Sequence, residues 1–213
     1  MSSEADSLIV RDLGLSDYEQ TLEKMMTFSQ QRDEDCIDEI WLLEHPPVYT
    51  LGKNGKAHHI LNSGNIPIVQ IDRGGQVTYH GPGQLVAYLL LDVRRRNIGV
   101  RRIVTIMEEA IIHVLGRLGV ESSARADAPG VYVDDGKIAA LGLRIKNGKS
   151  YHGLSFNIKM DLAPFNGINP CGYEGLRIVQ LSDIADHYSY EDIKKGLVDY
   201  IAASIGYKKT IAR

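Results

Sequence analysis

Two cysteines, Cys36 and Cys171, are all that this chain of 213 residues contains. That is too few for a disulfide scaffold or a Cys-rich zinc site, and in a reducing compartment both are expected as free thiols. Metal-ligand spacing is scarce as well. The seven histidines include one adjacent pair, His58-His59, and no His-x-x-x-His, so no metal site is expected. Basic excess is missing: the formal net charge is −3 and the pI is near 6.2, which removes any global attraction for nucleic acid or an anionic membrane surface. No apolar run approaches the roughly 20 residues that a membrane helix needs. Met1-Ser2-Ser3-Glu4-Ala5-Asp6 lacks the basic and apolar regions of a secretory signal. The expectation is a cytoplasmic protein without repeats, linkers or low-complexity tracts. Its 44% hydrophobic residues suffice for a core, and its length suits one domain.

What is present is a mixture of helical and strand patterns. Ser16-Asp17-Tyr18-Glu19 reads as a capping box opening a helix, with Tyr18, Leu22 and Met25 on one face and the charged run Arg32-Asp33-Glu34-Asp35 ending it. Short apolar runs at 37–43, 48–51, 66–71 and 85–91, cut by Pro46-Pro47, Gly52 and Gly64, predict buried strands. A second helix fits 100–118, with Ile103, Met107, Ala110, Ile111, Val114 and Leu118 on one face and Gly119 as its stop. Asp134-Asp135-Gly136 and Asn147-Gly148 are turn signals separating three β-rich runs, 130–133, 137–146 and 149–160, which together predict a meander. In that reading Lys137 is the first strand residue after a hairpin turn. A last helix over 190–205 has Ser189 as its cap and Gly206 as its stop. Helices and strands do not alternate strictly, which favours an α+β or mixed α/β single domain over a doubly wound parallel sheet.

Three places could carry chemistry. The segment Arg73-Gly74-Gly75-Gln76-Val77-Thr78-Tyr79-His80-Gly81-Pro82-Gly83-Gln84 sets backbone freedom beside polar side chains, which suits amides presented to a ligand, though Gly-Gly and Gly-Pro also mark ordinary strand connections. Cys171, between Pro170 and Gly172, is presented as a loop would present a side chain, whereas Cys36 stands at the edge of an apolar run and reads as a packing residue. A nucleophilic thiol needs a neighbouring cation or base to favour its thiolate, and His80, His152 and Lys137 are candidates that spacing alone does not separate. A lysine after a turn is ordinarily solvated. Ala140-Leu141-Gly142 and Gly153-Leu154-Ser155 are small-residue steps within strands, a mark either of close approach by a ligand or backbone or of a bulge. Arg94-Arg95-Arg96 with Arg101-Arg102 is a dense positive run, either a solvated face or a docking patch for an acidic carrier protein.

The 73–84 segment resembles the signature of the lipoyl(octanoyl) transferases: Arg-Gly-Gly, two free positions, Thr, an aromatic, His, two free positions, Gly or His, then Gln. Asp135-Gly136-Lys137-Ile138-Ala139-Ala140-Leu141-Gly142 and Ile168-Asn169-Pro170-Cys171-Gly172 are similar to the family's lysine and cysteine motifs, in the same order. The resemblance spans roughly residues 10 to 205. It implies the catalytic-domain fold shared with biotin and lipoate protein ligases, as one octanoyltransferase catalytic domain. It further implies transfer of an octanoyl group from octanoyl-acyl carrier protein to a lysine of a lipoyl domain, the first step of protein lipoylation, with no cofactor. The implied acceptors are the E2 subunits of 2-oxoacid dehydrogenases and the glycine cleavage H protein. Cys171 is then the nucleophile, carrying an acyl thioester, and Lys137 its partner. Arg73, Gly74, Gly75, Gln76, Val77, Thr78, Tyr79 and His80, with Ala140, Leu141, Gly142, Gly153, Leu154 and Ser155, form the acyl pocket and oxyanion site. The alternative is an ATP-dependent lipoate or biotin protein ligase. Such an enzyme forms an adenylate and needs no cysteine here, and the chain has no Gly-Arg-Gly-Arg loop.

Overall fold

The computed structural model describes residues 6–213. The elements in chain order are β1 (Ser7–Leu15), α1 (Tyr18–Gln31), β2 (Asp38–Glu44), β3 (Val48–Leu51), β4 (Ile68–Gln70), β5 (Val77–His80), β6 (Gln84–Leu90), α2 (Val100–Arg117), β7 (Ser123–Ala124), β8 (Gly130–Val133), β9 (Gly136–Lys146), β10 (Lys149–Asn157), α3 (Tyr190–Ile205) and β11 (Lys209–Ala212). Eight strands form one mixed sheet in the order β11-β1-β2-β6-β10-β9-β8-β7, and a second sheet has the order β4-β3-β5. The β8-β9-β10 meander is antiparallel, as its turn signals predict, and β1 pairs in parallel with both β2 and β11. This is the mixed α+β architecture that the sequence pattern favours.

Helices cover both faces of the large sheet, so its central strands are apolar on both sides. On one face Ile103, Ile106, Met107, Ala110 and Ile111 of α2, with Ile193, Leu197 and Ile201 of α3, pack on Leu85, Ala87, Leu89, Leu154 and Phe156. On the other, Met25 of α1 packs with Trp41, Val86, Tyr88 and Tyr151. The second sheet has its own cluster, with Tyr49, Val77, Tyr79 and Phe165, and holds the glycine-rich segment against β9, where Gly74 N–H donates to the Leu143 carbonyl at 3.3 Å.

Several expectations are corrected. The cap of α1 is Asp17, whose carboxylate accepts from Gln20 N–H at 3.0 Å, while the Ser16 hydroxyl donates back to the Leu13 carbonyl. Lys137 is the second residue of β9, because Asp134 and Asp135 complete the turn and Gly136 already pairs with Val133. Part of the arginine run serves the fold: Arg32, Arg95 and Arg96 converge on the fully buried Asp38 at 2.6, 2.8 and 3.4 Å. The Tyr207 hydroxyl donates to the same carboxylate at 2.6 Å. Arg94, Arg101 and Arg102 are exposed, and Arg102 pairs with Glu109. Among the described residues, no helix is long and apolar enough to cross a membrane.

Candidate active site

Cys171 sits in a single 3₁₀ turn, Pro170–Gly172, with φ of 57°. A left-handed conformation costs an L-residue about 1–2 kcal/mol, and local bonds hold it in place. Asn169 N–H donates to the His59 carbonyl at 2.7 Å, Gly172 N–H to the Asn169 carbonyl at 2.9 Å and Tyr173 N–H to the Pro170 carbonyl at 3.0 Å. The thiol is half-buried. Cys36, the thiol read as packing, is also half-buried, with its S–H 3.7 Å from the Ile37 carbonyl.

Lys137 is not a solvated post-turn lysine, since it is only 3% exposed. Its backbone is clamped between Arg177 and Val179: Lys137 N–H donates to the Arg177 carbonyl at 2.8 Å, and its carbonyl accepts from Val179 N–H at 3.1 Å. Lys137 Nζ lies 3.1 Å from Cys171 Sγ and 5.5 Å from the centroid of the Tyr132 ring. Gly130, at φ of 148°, makes room for it, because a β-carbon there would stand 2.3 Å from Lys137 Cε. Of the three candidate partners for the thiol, the fold brings Lys137 to it.

The pair lines a cavity of about 350 Å³ that runs along β9 and β10 under the glycine-rich segment. Ala140, Leu141 and Gly142 pair across the sheet with Ser155, Leu154 and Gly153, and all six line it, as do Arg73, Gly74, Gly75, Gln76, Val77, Thr78 and His80. Tyr79 is the exception. Strand alternation turns it away from Thr78 and His80, onto the face of β5 that also carries Val77, where it packs edge-on to Phe165 and against Tyr49. The glycines admit neighbouring groups: a β-carbon on Gly142 would lie 3.0 Å from Arg73 Cδ, and one on Gly153 would lie 2.0 Å from the Ala87 carbonyl oxygen. β8 leaves β9 at Gly130↔Ala140. The Leu143 carbonyl points to that vacated edge to accept from Gly74, and by two-residue alternation the Leu141 N–H points the same way.

Besides Lys137, the cavity wall carries a second buried cation and several neutral rings. Arg73 donates from Nη1 to the Gly74 carbonyl at 2.8 Å and from Nη2 to Thr50 Oγ1 at 2.9 Å, and burial lowers its pKa. Burial and the neighbouring His45 push His80 down to about 3, against the pull of Gln84. Gln84 Nε2 donates to Asn157 Oδ1, so its Oε1 accepts from His80 Nδ1 at 2.7 Å, which leaves His80 Nε2 without a proton. His45, lowered to about 4 by burial, gives its Nδ1 proton to the Ser16 carbonyl and accepts the Tyr88 hydroxyl at Nε2, 2.8 Å away. His152 has φ of 61° within β10. Its pKa is lowered by burial and supported by Asp72, whose Oδ1 lies 3.4 Å from His152 Nε2.

Sequence reasoning missed Tyr18, Val86 and Tyr88 as cavity residues. Tyr18 reads as part of a helix face and Val86 as part of a strand run, and neither period says that the far side of the face is a cavity. The His58 and His59 rings lie with centroids 4.2 Å apart, tilted by 49°, and among the described residues there is no cluster of three or more potential metal-ligating side chains.

The family model for the lipoyl protein ligase A/B catalytic domain matches residues 17–202. The octanoyltransferase of Pseudomonas entomophila (strain L48) is 57% identical over 198 residues, covering 93% of this chain and 92% of that protein. The octanoyltransferase of Pseudomonas syringae pv. syringae (strain B728a) is 55% identical over 203 residues, covering 95% and 93%. Among solved structures, a bi-partite lipoate protein ligase studied with its E2 lipoyl domain from Thermoplasma acidophilum superposes with a TM-score of 0.74 at 14% identity over 97% of this chain and 86% of that one. The biotin protein ligase of Aquifex aeolicus gives a TM-score of 0.55 at 9% identity over 93% and 68%.

Proposed function

This chain belongs to the lipoyl protein ligase A/B catalytic-domain family and is an enzyme that transfers an octanoyl group for protein lipoylation, and we propose that it does so through an acyl thioester on Cys171. The observation that carries the reading is the 3.1 Å approach of Lys137 Nζ to Cys171 Sγ at the wall of the cavity.

In the first half-reaction the Cys171 thiolate attacks the thioester carbonyl of octanoyl-acyl carrier protein, the carbonyl carbon to carrier-sulfur bond breaks, and Lys137 gives its proton to the leaving thiolate. In the second, the amine of a lipoyl-domain lysine attacks the enzyme thioester, neutral Lys137 takes the amine proton, and the Cys171 thiolate is restored. Lys137 thus ends each cycle as it began. The Leu141 N–H at the vacated edge of β9 is the donor that supports the oxygen of both tetrahedral intermediates. The acyl chain lies in this cavity against its apolar lining, where each buried methylene contributes about 0.8 kcal/mol, so chain-length preference is graded. Arg101 and Arg102, exposed in the first turn of α2, follow Val100 at the cavity edge, and this positive surface receives the acidic carrier protein. The lipoyl domains accepting the group are those of 2-oxoacid dehydrogenase E2 subunits and the glycine cleavage H protein. Residues 1–213 act as a single catalytic domain.

A thioester donor is already activated, so transfer from octanoyl carrier protein proceeds without ATP or magnesium. Activity in EDTA-treated, nucleotide-free mixtures supports the reading. Enzyme inactive there but active with free octanoate plus ATP would overturn it in favour of a ligase.

A further inference from the structure

Glu108 lies on α2, outside the motifs and outside the reaction scheme above. Its Oε1 accepts from the N–H of Gly130 at 3.1 Å, the first residue of β8. Gly130 is the residue whose missing side chain leaves space for Lys137, and Lys137 reaches Cys171. One backbone amide therefore connects a half-buried carboxylate to the lysine and thiol.

We propose that Glu108 is a positioning residue for Lys137: by accepting from the Gly130 N–H it anchors the wall along which the lysine side chain runs. The inference rests on the Cys171–Lys137 reading and deepens it. Burial pushes the Glu108 carboxyl up, while the Gly130 amide and the charge of Lys137 draw it back down. Glu109, next along α2, also faces it and raises it, but is itself paired with Arg102 at 3.2 Å. Lys137 faces Cys171 on one side and the ring of Tyr132 on another.

The acyl-enzyme makes the consequence sharpest. Once Cys171 carries the octanoyl group the thiolate no longer pairs with Lys137, and the Gly130 wall is then a contact that keeps the lysine on its path to the incoming amine.

The test is single-turnover transfer from preformed octanoyl-enzyme to a lipoyl domain for the parent, Glu108→Gln, Glu108→Asp and Glu108→Ala, with a thermal melt for each, and steady-state turnover from the carrier-protein donor for Lys137→Met. Gln keeps an oxygen for the Gly130 amide, so it transfers within about threefold of the parent. Asp shortens the reach and its rate falls. Ala loses the acceptor, and transfer falls about tenfold or more while the melt stays near that of Gln. Transfer by Ala at the parental rate, or by Gln at the rate of Ala with an unchanged melt, overturns the proposal. Should the Ala variant unfold, parental transfer by Asp overturns it instead. Lys137→Met turning over at the parental rate would refute the underlying dyad.

Discussion

Gly130 and Lys137 compete for one space: a β-carbon on Gly130 would stand 2.3 Å from Lys137 Cε and 3.0 Å from its Nζ. With φ of 148° the position is also strained for any other residue. Gly130→Ala should therefore push the lysine away from the thiol. A displacement of about 1 Å at a reacting group costs on the order of 10²-fold, and kcat/KM for transfer is expected to fall by that order, with circular dichroism unchanged. Parental kcat/KM in a folded Gly130→Ala enzyme would mean that Lys137 need not hold its observed path.

Lys137 is given two tasks, and substitution separates them. Arginine keeps a cation that does not release its proton at ordinary pH. Lys137→Arg is expected to form some acyl-enzyme yet fail at transfer to the lipoyl domain, whereas Lys137→Met loses both steps. Single-turnover acylation and transfer, followed separately, read this directly. Equal losses in the two steps for the arginine variant would contradict the division of labour.

The five arginines between positions 94 and 102 divide by what they touch. Reversing charge at Arg101 and Arg102, which are exposed, should raise the KM for the carrier-protein donor several-fold and leave a small octanoyl thioester unaffected. Arg95, tied to Asp38 at 2.8 Å, and Arg96, whose guanidinium lies 3.8 Å from the centroid of the Tyr207 ring, should affect melting temperature instead. Equal effects of Arg101 and Arg102 reversal on both donors would remove the docking role.

How much of this was legible depends on how local each cause is. The last helix was read from Ser189 and Gly206 alone, and α3 has those two residues at its ends, with Ser189 Oγ accepting from Asp192 N–H at 3.2 Å and Gly206 at φ of 92°. β5 gives no clear strand signal, because glycines flank it and its side-chain alternation spans four residues, and the family resemblance groups Tyr79 with the pocket residues. β1 was missed because Leu13 and Leu15 are exposed and its parallel partners are distant in sequence. Cys171 and Lys137 were legible through motif resemblance. The burial of Lys137 was not, because it is made by Gly130, Tyr132 and the 177–179 segment arriving from elsewhere. Glu108, in the middle of an amphipathic helix, gave no sequence signal.

Asp38 is a stability residue with a definite pH signature. Burial alone would raise its carboxyl, but the Tyr207 hydroxyl and the charges of Arg32 and Arg95 more than offset that, and its pKa is lowered. A depressed folded pKa contributes stability that is complete above the ordinary carboxylate value of about 3.9 and is lost as pH falls through the folded value. Asp38→Asn strands Arg32, whose side chain is 1% exposed, and should cost about 3–5 kcal/mol at pH 7. Urea melts from pH 7 to pH 3 should show the parent losing more stability on acidification than the variant. Parallel losses would show that Asp38 does not carry this dependence.

The central claim is a covalent one, and it is tested by locating the octanoyl group. The enzyme is mixed with octanoyl carrier protein in the absence of acceptor and nucleotide, its intact mass is taken, and the modified peptide is mapped. The account predicts a single octanoyl adduct on Cys171, no adduct in Cys171→Ala, an unchanged adduct in Cys36→Ala, and discharge of the adduct when a lipoyl domain is added. An adduct on Cys36, or turnover persisting in Cys171→Ala, would contradict it.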